Sequence, residues 1–165
     1  MVSTDDGPAY RRHVGILSDT RELYDDLTVH ALLIFMEKLR SRDDPELSTR
    51  DRIDRAVALS DLSGVLHQRV GTLSLGFRKR VALACATIHQ PTLLLLDEPF
   101  SGLDPIQCDR FIRSINALNE AVTLIISSHM IDLVEQCVKY ALVVRKGELS
   151  YDGVFKKERI AEALV

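Results

Sequence analysis

The sequence predicts an α/β fold with a mostly parallel sheet, and three observations carry that reading. Leu93-Leu94-Leu95-Leu96 is an apolar run bounded by Pro91 and Asp97. A run without polar alternation suits a strand covered on both faces, as in a parallel sheet flanked by helices. Val122 to Ile126 is a second buried-strand candidate. Between the two, Asp104-Pro105 has the form of a helix cap followed by proline at the first helical position. Cys108, Phe111, Ile112 and Ile115 then recur at i, i+3, i+4 and i+7, the stripe of a helix that buries one face.

Taken along the chain, Val14-Gly15-Ile16-Leu17 reads as a short strand running into a polar loop. Thr28 is placed to cap a helix over Val29 to Leu39, although Ala31 stands where a capping box would carry an acid. The middle of that helix, Ala31 to Met36, is apolar nearly all round, which points to contact on more than one side. Ser48-Thr49-Arg50-Asp51 has capping-box spacing and opens a helix with Ile53, Ala56 and Val57 on one face. The stretch from about Leu27 to Ser63 therefore reads as a helical insertion beside the sheet. After Val122 to Ile126 come a helix around Ile131 to Val138 and a strand at Ala141 to Val144. Strand, helix, strand, helix, strand is the order of a doubly wound sheet.

A length of 165 residues suits one domain with a real core. With 46% apolar and 27% charged residues the chain is globular, neither disordered nor low in complexity. Its formal net charge of −3 gives no basic field to hold nucleic acid or anionic lipid. Cys85, Cys108 and Cys137 are odd in number and widely spaced, against a disulfide framework or zinc ribbon and in favour of a reducing compartment. The first residues lack the basic-then-apolar order of a signal peptide, and the greasiest stretch, Leu27 to Met36, is about half of a membrane span. A soluble, cytoplasmic protein is expected.

In open α/β sheets ligands lie beyond the carboxyl ends of the strands. Asp97-Glu98 follows the leucine run at such an end. Alone, the pair reads equally well as a strand surfacing into a polar turn. Its neighbourhood shifts the balance: Pro99-Phe100-Ser101-Gly102-Leu103-Asp104 follows at once, and Ser127-Ser128-His129 closes the next strand candidate. Leu93 to Pro99 resembles the Walker B segment of the ATP-binding cassette (ABC) ATPases. Ser101-Gly102-Leu103-Asp104 is similar to that family's D-loop, and His129 falls at its switch histidine. Leu73-Ser74-Leu75-Gly76-Phe77 resembles the signature loop, and Arg78 to Ala84 the helix after it. Leu23 to Val29 is similar to the stretch beyond the Q-loop, whose own position is matched by Asp19. The matches occur in family order from about Val14 to Gly153.

The resemblance implies a truncated P-loop NTPase fold of ABC type, with an inserted α-helical subdomain over about residues 20–75 and the rest of a catalytic core in 1–19 and 76–165. It implies ATP as substrate with Mg²⁺. Asp97, with Asp19, would supply hard oxygen ligands to the metal. Glu98 would be the general base for the attacking water. His129 would contact the γ-phosphate and hold Glu98 and the water in line. Ser74 and Gly76 would present a capped helix N-terminus to the phosphate of ATP held by an opposite cassette, and Asp104 would join that nucleotide site from the D-loop. His13, His30, His67 and His89 stand alone and read as structural or solvated. Arg78, Lys79 and Arg80 read as a solvated or locally paired face rather than a nucleic-acid patch.

Three features depart from the family pattern. Leu75 and Phe77 replace the usual first glycine and glutamine of the signature loop, a variant similar to ABC-2-type exporters, and Asp19 replaces the usual glutamine. The Walker A pattern G-x-x-x-x-G-K-[ST] is absent: of the eight glycines only Gly71 and Gly76 have the spacing, and Phe77-Arg78 follows them. The chain is expected to be a partial cassette beginning after its Walker A helix. It would be inactive alone, and marginally stable or aggregation-prone, because the leucine strand expects cover on both faces and exposed apolar area costs about 25 cal/mol per Å². The leading expectation is the ATP-hydrolysing subunit of a membrane exporter, peripheral on the cytoplasmic face. It would form a homodimer or heterodimer with another ABC ATPase and dock on a membrane-spanning subunit near the Q-loop and Val29 to Leu39. Leu32 and Phe35 are candidates for that contact, with the core as their plainer place. The alternative is a non-catalytic fragment or regulatory partner of a complete ATPase. A soluble ABC protein of DNA repair or translation would usually carry long coiled coils or tandem cassettes, which this length does not hold.

Overall fold

In the computed structural model, which describes residues 12–18, 23–40, 47–118 and 122–164, the leucine run forms the centre of a three-stranded parallel sheet. Strand β2 (Leu93–Asp97) lies between β1 (Val14–Leu17) and β3 (Thr123–Ser127). The register sets Gly15 beside Leu94, Leu94 beside Leu124, and Asp97 beside Ser127. Alternation along the strands puts Leu17, Leu94 and Leu96 on one buried face. On the other face, Ile16 and Ile125 are 53% and 54% exposed, so the described residues cover this sheet on one side.

The cover comes from α3 (Leu75–Thr87) and α4 (Pro105–Asn116). Asp104 caps α4, its carboxylate accepting from the Gln107 N–H at 2.9 Å, and Pro105 follows as expected. Leu83 and Ala86 of α3, with Cys108, Phe111, Ile112 and Ile115 of α4, close on the sheet around Phe100. A second core joins α3 to α1 (Val29–Arg40) and α2 (Thr49–Leu59) through Val81, Ala84, Cys85, Leu32, Leu33 and Ile53. Helix α3 is thus a wall shared by two cores, which is why it carries no clear polar face. Thr28 caps α1, accepting from the Ala31 N–H at 3.2 Å. The Ser48–Asp51 capping box closes in both directions, and its hydrogen bonds hold the Asp51 carboxyl below the usual range. Leu32 is core, whereas Phe35 is 41% exposed and meets Tyr24 edge-on at 5.3 Å.

The C-terminal part corrects one expectation. The strand foreseen at Ala141 to Val144 does not extend the parallel sheet. As β4 (Tyr140–Arg145) it pairs antiparallel with β5 (Glu148–Val154). The cause is the two-residue turn Lys146-Gly147, with φ of 51° and 84°. Positive φ at both turn residues matches the twist of a tight hairpin and directs the chain back beside itself. Helix α6 (Lys157–Leu164) then packs on the hairpin through Ile160. The helix expected over Ile131 to Val138 is regular only as α5 (Ile131–Val134). No helix among the described residues is long and apolar enough to cross a membrane.

The three thiols are free. Burial raises Cys85 to about 12 and Cys137 to about 11, and raises Cys108 as well. Relative to an ordinary thiol near 8.5, the Cys85 thiolate population at pH 8 falls roughly a thousandfold. Reaction with a disulfide reagent such as DTNB at pH 8 should therefore be far slower at Cys85 in the native chain than in guanidinium. Equal rates in the two states would refute its burial.

Candidate active site

The end of β2 and the turn after β3 build one cluster. Asp97 is the last residue of β2, and its carboxylate accepts from the Ser127 hydroxyl across the parallel register. Glu98 follows with φ of 43°, in the left-handed region that non-glycine residues avoid. Its N–H donates to the Ser127 carbonyl at 2.9 Å, so the strand ladder fixes where the turn begins. The Glu98 carboxylate accepts the His129 N–H at 3.2 Å and meets His129 Nδ1 at 2.9 Å on Oε1; Oε2 accepts from the Ser128 hydroxyl at 3.3 Å. With the carboxylate as acceptor, Nδ1 is the donor of this contact, which leaves Nε2 as the other polar atom of a ring that is 75% exposed. A carboxylate held by three donors beside solvent can take a proton from a bound water without having to reorient.

The second group lies at the start of α3. Ser74 caps the helix, with the Phe77 N–H 3.5 Å from its hydroxyl, and remains exposed. Gly76 is buried: a β-carbon there would lie 2.6 Å from Gln107 Oε1 and 2.9 Å from Gln107 Cγ. The space its missing side chain leaves is filled by Gln107 of α4 rather than left open. Leu75 packs over Gly102, where φ is 74° and a β-carbon would come within 2.8 Å of the leucine methyl. The loop before α3 and the loop before α4 are therefore in contact. Asp104 is exposed and spends one carboxylate oxygen on capping α4.

Asp19 lies outside the described residues. Of the other histidines, His89 is buried with Nε2 3.2 Å from the Val14 carbonyl, while His30 and His67 are exposed. The Arg78-Lys79-Arg80 run is locally paired rather than solvated. Arg78 meets Asp25 at 2.6 Å. Arg80, almost wholly buried, meets Asp61 at 2.7 Å and stacks on Phe77 at 4.2 Å. Lys79 is buried and reaches the backbone beside Glu98. Sequence reasoning did not foresee Lys79 or Ser128 at the cluster. In the sequence Lys79 is one of three consecutive basic residues in the first turns of its helix, with nothing local to set it apart from Arg78 and Arg80. Among the described residues the exposed Asp97 carboxylate is the metal-type donor beside the Glu98–His129 pair, and no group of three or more His, Cys, Asp or Glu there could cage an ion. Magnesium is commonly held by one or two carboxylates together with substrate phosphates. Asp97 fits a site completed in that way.

Comparison with known proteins follows the same lines. The ABC transporter family profile matches residues 1–101. The chain is 35% identical over 147 residues to the probable multidrug ABC transporter ATP-binding protein YbhF of Escherichia coli (strain K12), covering 87% of this chain and 24% of that protein. It is 30% identical over 154 residues to the bacitracin transport ATP-binding protein BcrA of Bacillus licheniformis, covering 90% and 49%. The chain thus spans from about a quarter to about a half of the length of these curated relatives. Among solved structures it is similar to cbiO1 from Clostridium perfringens, with a TM-score of 0.74, 28% identity, and coverage of 87% of this chain and 57% of that one. The cassette MJ0796 superposes with a TM-score of 0.78 at 20% identity, covering 94% and 68%, a likeness of fold.

Proposed function

Because the chain belongs to the ABC transporter family, we propose that it is part of the ATP-hydrolysing unit of an exporter. The observation that supports this most is the Glu98 carboxylate at the end of β2, held by His129 Nδ1 at 2.9 Å beside Asp97. Glu98 takes the proton of the water that attacks the γ-phosphate. The His129 and Ser128 donors keep its carboxylate from swinging away, and Nε2 of His129 is left for the phosphate. Magnesium, when bound with the nucleotide, neutralises phosphate charge, and Asp97 is the residue here to hold it, with Asp19 as the Q-loop counterpart. Ser74 and the first turn of α3 offer N–H donors to the nucleotide of a second cassette, with Asp104 at the same interface.

Partners are carried over from relatives as part of this proposal. MJ0796 is described as dimeric and cbiO1 as part of the transporter complex cbiONQ. The relatives named for multidrug and bacitracin transport favour export. A membrane-spanning subunit would dock at the cleft of about 260 Å³ between β1 and α1, which Tyr24, Met36 and Leu39 line, with the exposed Phe35 beside it. The sequence contains no G-x-x-x-x-G-K-[ST], so the test uses a fusion that supplies this segment ahead of residue 1. Hydrolysis of ATP by the fusion should require Mg²⁺ and stop with a chelator. A folded fusion that binds ATP and does not hydrolyse it would favour the non-catalytic partner instead.

A further inference from the structure

We propose that Lys79 is a positioning residue that holds the Glu98 carboxylate on His129 by clamping the backbone on which Glu98 stands. The proposal deepens the reading of Glu98 as the base and rests on it. Lys79 Nζ donates to the Glu98 carbonyl and to the Pro99 carbonyl, each at 2.9 Å. Its side chain is 7% exposed, and a buried ammonium persists only where its donors are satisfied. These two carbonyls do part of that.

The clamp falls where the backbone most needs one. Glu98 at φ of 43° sits in a region a non-glycine residue leaves unless its surroundings over-determine it. Pro99 has no N–H with which to brace the turn. The Ser127 carbonyl fixes the turn from the strand side and Lys79 fixes it from the carbonyl side. A rotation of the Glu98 backbone would swing the carboxylate off the His129 N–H and Nδ1. Lys79 is also on α3, one turn beyond the Ser74 cap.

The test uses the full 165-residue chain, labelled for NMR. In the wild type, the Lys79 ammonium should exchange slowly and show through-hydrogen-bond coupling to the carbonyl carbons of Glu98 and Pro99. Lys79→Met should speed amide exchange at Glu98 and His129 about tenfold while leaving the hairpin Tyr140–Val154 unchanged. Lys79→Gln keeps a donor and should restore slow exchange, which filling the same space would not do. Absence of the couplings, unchanged exchange in Lys79→Met, or failure of Lys79→Gln to restore it would each overturn the clamp. If Lys79→Met does not fold, the wild-type couplings decide. A clamp that passes, in a chain whose ATP-hydrolysing fusion is indifferent to Glu98, would sink the assignment of the base and leave the clamp standing.

Discussion

Glu98→Gln in the fusion carrying a P-loop should cut steady-state ATP hydrolysis by about 10²–10⁴-fold, the usual worth of a positioned general base. The substitution is nearly isosteric. Its amide oxygen still accepts from the His129 N–H and its amide still fits the left-handed turn, so the fold is preserved and only the proton acceptor is lost. ATP binding should stay within a few-fold of wild type, because binding rests on phosphate contacts made elsewhere. The thermal midpoint should move by no more than about 3 °C, since the carboxylate is already partly solvated and contributes little to the core. Measuring kcat and nucleotide affinity together separates the outcomes. Undiminished kcat means another group accepts the proton. Loss of binding and turnover together means the variant has disturbed the site rather than removed a base.

Gly15→Ala should produce the largest loss of stability from a single methyl. Gly15 lies in the middle of β1, opposite Leu94, under α3. A β-carbon there would lie 2.2 Å from the Ala86 carbonyl oxygen, 2.9 Å from Leu94 Cδ1 and 3.0 Å from Pro91 Cγ. The carbonyl belongs to helix backbone and cannot turn aside, so α3 must lift off the sheet. Overpacking of this kind costs about 3 kcal/mol, a large part of a typical domain's margin of about 5–15 kcal/mol. The urea midpoint should fall by about 1–2 M. Gly64→Ala is the control, because a methyl there meets nothing within 4 Å. Equal midpoints for the two variants would show that α3 does not approach β1 so closely. Since α3 carries both Ser74 and Lys79, a folded Gly15→Ala chain should also show faster exchange at the Glu98 amide.

Much of this was legible because the signals are local. The leucine run, the Ser48–Asp51 capping box and the Asp104-Pro105 helix start each place their cause and effect within a few residues, and each forms as expected. Asp97, Glu98 and His129 were legible as a group through the order of their motifs. The hairpin was missed because a short apolar strand looks the same whether its partner is parallel or antiparallel, and the deciding turn residues are an unremarkable lysine and glycine. Lys79 was missed for a related reason. A basic residue between two arginines reads as surface until another part of the chain is known to cover it.

By itself, then, the sequence determined the class of fold, the family, and which acids and imidazole stand at strand ends, since these depend on residue type and spacing along the chain. Only the tertiary structure decided that Glu98 meets His129 through Nδ1, that Gln107 fills the space at Gly76, and that Lys79 braces the turn. Those contacts join residues about 20–30 positions apart, and their geometry follows from strand register and helix packing, which no local pattern encodes.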